Sequence, residues 1–167
     1  VLDSINGAGC VGGLRMLEHL GCDILHLNGE PTGEFAHEPE PKEANLTGLC
    51  KAVVMYDADV GFAQDPDADR LAIVDENGRY IGEEYTLALA AEHWLSKNTG
   101  SSTAANLSTS RMIDDIASNH NGEAYRSAVG EANVAGVMKE NDCIIGGEGN
   151  GGVIFPKVCW VRDSFSG

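Results

Sequence analysis

Short apolar runs of strand length alternate along this chain with segments of helical period, which is the pattern that βαβ units leave in a sequence. Few folds are open to a chain patterned this way, because parallel strands need crossover connections and those connections lay helices across the sheet. VLDS leads into Asn6-Gly7-Ala8-Gly9 and then CVGGLRMLEHLG, where Val11, Leu14, Leu17 and Leu20 recur at three-residue steps. The spacing predicts strand, glycine turn and helix. CDILHL is the next predicted strand, and NGEPTGEFAHEPEPKEANL, with Pro31, Pro39 and Pro41, reads as a long surface loop. Leu46 to Met55 is predicted helical, VGFAQ and RLAIVDE are predicted strands, and Glu76-Asn77-Gly78-Arg79 is a tight turn. A helix follows from Glu83 to Lys97 with Leu87, Ala91 and Leu95 on one side. Asn98-Thr99-Gly100-Ser101-Ser102-Thr103 then combines a helix stop with small polar residues, so two units are expected, residues 1–98 and 99–167.

The second unit repeats the alternation without a recognisable sequence repeat. STAANLS and EAYRSAV read as strands around a helix over Arg111 to Asn119, which Ser110 could cap. A further helix spans Glu131 to Glu140, CIIGG is a strand entering a glycine loop, and GVIFP closes the pattern. Trp94 and Trp160 are expected as core or interface aromatics.

Whole-chain composition narrows the partners. A hydrophobic content of 43% in 167 residues is that of a globular chain with a core. The net charge of -15 argues against a nucleic-acid backbone or an anionic membrane surface, both of which need a basic footprint, and favours small ligands and cations. Five cysteines, widely spaced and without a C-x-x-C pair, point to reduced thiols and hence a cytoplasmic setting. No window approaches the roughly 18 apolar residues of a membrane span. The chain opens on Val1 and stops in mid-pattern at SFSG, so a piece of a longer protein is expected.

QDPDADRLAIVDE, residues 64–76, carries the most chemistry. Asp65, Asp67 and Asp69 alternate, and residues spaced this way in an extended or loop backbone project to one side. Crowded carboxylates stay ionised only when a cation compensates them, and oxygen-only ligands without His or Cys favour Mg²⁺. An EF-hand would place Asp65 first and Glu76 last in its calcium loop, but Arg70 stands where that loop needs glycine, Pro66 lies in its first turn and a strand follows. A nucleophilic aspartate lacks visible downstream partners, and an acidic turn exposed to water is the remaining alternative. Arg70 is either a counter-ion to these aspartates or a phosphate contact, for which a planar guanidinium is well shaped. A cation and an arginine on one spot suit phosphoryl transfer.

IIGGEGNGGVIFP, residues 144–156, is the second informative stretch. Its glycines open the backbone to close approach, and Glu148 and Asn150 suit sugar hydroxyls; an ordinary tight hairpin is the alternative.

Taken together, QDPDADRLAIVDENG and GGEGNGGVIFP resemble the α-D-phosphohexomutase family of phosphoglucomutases, phosphomannomutases and phosphoglucosamine mutases. INGAG, EPEPKEANL, VGEANV and Arg162-Asp163 also look like family landmarks, so the resemblance covers nearly the whole chain. It implies two successive phosphohexomutase-type α/β domains with mixed sheets flanked by helices: the second of four domains at 1–98 and most of the third at 99–167. By the same resemblance Asp65, Asp67 and Asp69 form a Mg²⁺ loop and Arg70 lies near the transferred phosphate. Glu148, Gly149 and Asn150 fall in a loop that contacts the sugar, where the family often has serine at the position of Asn150. Such enzymes interconvert hexose 1- and 6-phosphates through a phosphoserine and a hexose 1,6-bisphosphate, and the implied cofactor is Mg²⁺.

The phosphoserine loop of that family has no counterpart here. ASNHNG at residues 117–122 reads instead as a helix end with Gly122 as terminator. The chain is therefore expected to lack the first and fourth domains and to be inactive alone. The alternative is a non-catalytic module that binds Mg²⁺ or sugar phosphates. Val129-Gly130-Glu131 is a helix start that could face an anion, although Glu131 opposes one. The five histidines, among them His19, His26, His37 and His93, show no triad or metal-ligand spacing.

Overall fold

The computed structural model describes residues 1–167 and divides them into two compact units, Val1–Glu83 and Glu84–Gly167. The first unit carries β1 (Leu2–Asp3), α1 (Cys10–His19), β2 (His26–Leu27), a 3-10 turn at Glu43–Asn45, α2 (Thr47–Met55), β3 (Gly61–Gln64) and β4 (Leu71–Val74). Its sheet runs β2-β1-β3-β4, parallel except for β4, which pairs antiparallel with β3. The core lies between the sheet and α2, where Leu46, Leu49 and Val53 meet Ala63, Ala72 and Val74.

The second unit opens with α3 (Glu84–Lys97) and continues through β5 (Thr103–Asn106), α4 (Met112–Asn119), β6 (Ala124–Ser127), α5 (Glu131–Glu140), β7 (Ile145–Glu148) and β8 (Gly152–Ile154). Its sheet order, β6-β5-β7-β8 with only β8 antiparallel, repeats that of the first unit strand for strand. Successive strand residues feed opposite faces. Ala105 and Ile145 join Leu87, Leu95, Ile113 and Ala117 of α3 and α4, while Ala104 joins Val134, Ala135 and Met138 of α5. These are the α/β units that the alternating pattern predicts, with the mixed sheets flanked by helices that the resemblance implies. No helix is long and apolar enough to cross a membrane.

Three details depart from the sequence reading. The division falls between Glu83 and Glu84 rather than after residue 98, because Leu87, Ala91 and Leu95 of α3 are buried in the second unit's core against Ile113, Ala117 and Ile145. In α1 the three-residue apolar steps do not mark the buried side: Val11 is 51% and Leu20 69% exposed, while Cys10 and Gly13 are buried. A Cβ at Gly13 would stand 3.0 Å from side-chain atoms of Leu2 and Gln64, so the small residues form the face that approaches the sheet. At the end of α4 the left-handed residue is Asn121 (φ 58) rather than Gly122, whose N–H returns to Ala117 O at 2.8 Å.

Because Leu95 is fully buried and Leu20 is mostly exposed, their truncations should differ sharply. Leu95→Ala is expected to cost about 2 to 5 kcal/mol in its unit and Leu20→Ala within about 0.5 kcal/mol, read by urea unfolding followed by circular dichroism. Equal losses would mean that α1 packs by the face its leucines suggest.

Candidate functional site

In each unit the residues singled out by sequence lie at the carboxyl ends of the parallel strands and in the hairpin that follows, the edge where open α/β sheets hold ligands. In the first unit Asp65 directly follows β3 and is buried; its Oδ1 accepts the backbone N–H groups of Asp69 and Arg70, both at 3.0 Å. Ala68 takes a left-handed conformation (φ 60), which turns the loop back on itself. One oxygen each from Asp65, Asp67 and Asp69 lies within 4.8 Å of the others. The spacing that suggested convergence therefore delivers it. The Arg70 Nε stands 3.2 Å from Asp65 Oδ2 and 3.4 Å from Asp69 Oδ1, so its counter-ion role is realised, and 31% of the side chain stays exposed.

The loop after β1 supports this hairpin. Ile5 and Asn6 both have positive φ, a costly conformation for a β-branched residue, and the Ala8 N–H reaches Pro66 O at 2.8 Å. A Cβ at Gly7 would fall 2.6 Å from the same carbonyl, so only glycine fits there. Sequence reasoning missed the polar residues beneath. Asp3 is buried and accepts from Ile5 N and Asn28 Nδ2, with His37 Nε2 at 3.2 Å from its second oxygen. Ser4 Oγ donates to Gln64 Oε1 and lies 2.9 Å from His26 Nε2. Their one signal was a polar Asp-Ser pair at the end of an apolar strand.

In the second unit Glu148 ends β7 and is 4% exposed. Oε1 accepts from Asn106 Nδ2 at 2.6 Å and from the Gly130 N–H at 3.1 Å, and Oε2 accepts from Arg162 Nη1 at 2.8 Å. Arg162 also pairs with Glu131, so the helix start at residues 129–131 already faces the carboxylates of Glu131 and Glu148. The Gly149 N–H donates to Thr109 Oγ1 at 2.9 Å, and a Cβ there would stand 2.4 Å from both Glu84 carboxylate oxygens. Asn150 turns its Oδ1 onto its own hairpin, 3.2 Å from the Gly152 N–H. ASNHNG lies at the end of α4, where His120 Nε2 meets Glu92 at 2.9 Å. Asn106 and Glu84 were not found from sequence, because each earns its place through partners more than twenty residues away.

A cavity of about 660 Å³, lined by Val1, Cys22, Asp57, Val60 and Phe62 among others, opens at the amino ends of β1 and β3. It lies across the sheet from Asp65 and takes no part in this arrangement.

Comparison with known proteins bears on both units. The family model for phosphoglucomutase/phosphomannomutase, alpha/beta/alpha domain II, matches residues 1–78, and that for domain III matches residues 82–166. A phosphoglucomutase/phosphomannomutase of Thermococcus kodakarensis is 44% identical over 98% of this chain and 36% of its own length. A probable phosphoglucosamine mutase of Methanopyrus kandleri is 38% identical over the same shares. The crystal structure of a phosphoglucomutase/phosphomannomutase family protein from Burkholderia thailandensis aligns with a TM-score of 0.89 at 28% identity, over 99% of this chain and 37% of that one. The chain thus spans about a third of the length of the relatives it matches.

Electrostatics set the cost of the aspartate loop. Burial, reinforced by the charges of Asp69 and Asp67 and only partly offset by the Arg70 N–H, pushes the Asp65 carboxyl from 3.8 up to about 6. The folded chain then keeps a proton that the unfolded chain has released between those two values. That contribution to stability is present below pH 4 and is lost as pH rises through about 6. Asp65→Asn preserves both N–H contacts and cannot ionise. In EDTA its urea midpoint should therefore gain on that of the unsubstituted chain between pH 4.5 and pH 7, and a constant difference across that range would contradict the assignment.

Proposed function

The chain belongs to the phosphoglucomutase/phosphomannomutase family, and we propose that it supplies the metal-binding and sugar-contacting parts of an enzyme interconverting hexose 1-phosphates and hexose 6-phosphates. The observation that carries this reading is the convergence of Asp65, Asp67 and Asp69 on one spot with Arg70 paired beside them. Three carboxylates held this close, one of them buried, fit a hard divalent cation: the donors are all oxygen, and a cation would offset the repulsion that raises Asp65. In this reading Asp65, Asp67 and Asp69 hold Mg²⁺, which when bound neutralises charge on a phosphoryl group.

The remaining roles fall to the chain's own groups. Arg70, anchored by two carboxylates, presents a fixed cation to a phosphate oxygen rather than a nucleophile to the substrate. Glu148 accepts from a sugar hydroxyl, while the Gly149 and Asn150 hairpin lets the sugar approach the backbone. The phosphoserine that gives and regains the phosphoryl group lies outside these residues, with the first and fourth domains of the parent enzyme. Hexose phosphates and hexose 1,6-bisphosphate are the small-molecule partners, and the thiol-rich composition suits a cytoplasmic enzyme.

Isothermal titration with MgCl₂ should give one site, which Asp67→Asn weakens at least tenfold; exposed Asp67 makes this variant safe for the fold. Phosphorus NMR with hexose 1-phosphate, hexose 1,6-bisphosphate and Mg²⁺ should show no conversion by the chain alone. Heat without saturation would overturn the metal assignment, and any turnover by the chain alone would overturn the placing of the phosphoserine outside it.

A further inference from the structure

The carboxylate of Glu148 is almost fully committed before any ligand arrives. A carboxylate accepts about four hydrogen bonds, and three are already made: Asn106 Nδ2 and Gly130 N–H occupy Oε1, and Arg162 Nη1 occupies one side of Oε2. With so little of the residue exposed, the carboxylate has no freedom to swing. Whatever it offers a sugar is the remaining side of Oε2, enough for one hydroxyl.

Asn106 decides how that oxygen is aimed. It is the last residue of β5 and is itself 2% exposed. Its Oδ1 accepts from Ser108 N, Ser108 Oγ, Thr109 N and Thr109 Oγ1 at 2.8 to 3.1 Å, so the amide cannot flip and Nδ2 must face Glu148. The same contacts hold Thr109 where its Oγ1 receives the Gly149 N–H. One side chain thereby fixes the carboxylate and the glycine turn that follows it in a common frame.

We propose that Asn106 is a positioning residue that aims the single free acceptor of Glu148, on Oε2, at one hydroxyl of the hexose. The proposal rests on Glu148 contacting the sugar, as set out above. Asn106 does not touch the substrate; it acts through Glu148 and Gly149. Its removal weakens sugar recognition without touching the aspartate loop, which belongs to the other unit.

Asn106→Asp separates this role from a merely structural one. The aspartate keeps an Oδ1 for the four donors of the loop, but replaces the amide donor to Glu148 Oε1 with an acceptor oxygen, so that two carboxylates repel where one hydrogen bond stood. The ¹⁵N-labelled chain is titrated with glucose 6-phosphate in the presence of Mg²⁺, following the Gly130, Gly149 and Asn150 amides. Saturable shifts in the unsubstituted chain, weakened at least tenfold by Asn106→Asp with a displaced Gly130 resonance and unchanged Mg²⁺ affinity, support the proposal. Asn106→Asp binding glucose 6-phosphate like the parent chain overturns it while leaving the sugar-contact reading intact. No shift at Gly149 and Asn150 in the unsubstituted chain overturns that reading, and the proposal with it. Should Asn106→Asp fail to fold by circular dichroism, Asn106→Ala replaces it, since alanine removes the donor without adding a charge. Weakened glucose 6-phosphate binding by Asn106→Ala at unchanged Mg²⁺ affinity then supports the proposal, and binding equal to that of the parent chain overturns it.

Discussion

A buried carboxylate needs several donors, and in each sheet the strand before the antiparallel hairpin runs into one. Asp65 closes β3 and Glu148 closes β7, both at the carboxyl edge of parallel strands, and the loops around each are arranged to satisfy it. Asp65 accepts two backbone N–H groups from its own hairpin and is ion-paired with the Arg70 guanidinium. Glu148 takes a side-chain amide from β5, a backbone N–H from the start of α5 and a guanidinium from the chain's final residues. An ionised group left without such partners would cost far more than an ordinary contact returns. The placement of these loops therefore follows from the two carboxylates.

The two units solve the same topological problem with different hairpins. In both, three parallel strands are followed by one antiparallel strand, and the chemistry sits in the turn between the last two. In the first unit that turn spans residues 65–70 and is long enough to fold three aspartates toward one another. In the second it spans residues 149–151, too short to gather ligands from its own backbone, and its partners must come from neighbouring loops. One hairpin thus makes a local, self-contained site and the other a distributed one.

That difference governs how much could be read in advance. Asp65, Asp67, Asp69 and Arg70 were visible because their interactions are made within six residues, and their convergence follows from spacing and a single turn. Glu148 was visible as a residue type in a glycine loop, but Asn106, Gly130 and Arg162 were not visible as its partners. The strained turn at Ile5 was likewise hidden, since a β-branched residue does not announce a left-handed conformation.

The sequence by itself determined the alternation of strands and helices, the fold class, the aspartate loop and the glycine hairpin, because each rests on short-range periodicity or on residues adjacent in the chain. Tertiary structure decided which unit α3 joins, which face of α1 is buried and which groups surround Glu148. Those outcomes depend on what packs across a sheet from residues distant in sequence. A helix with small residues on one side and leucines on another carries no local mark of which side its sheet will take.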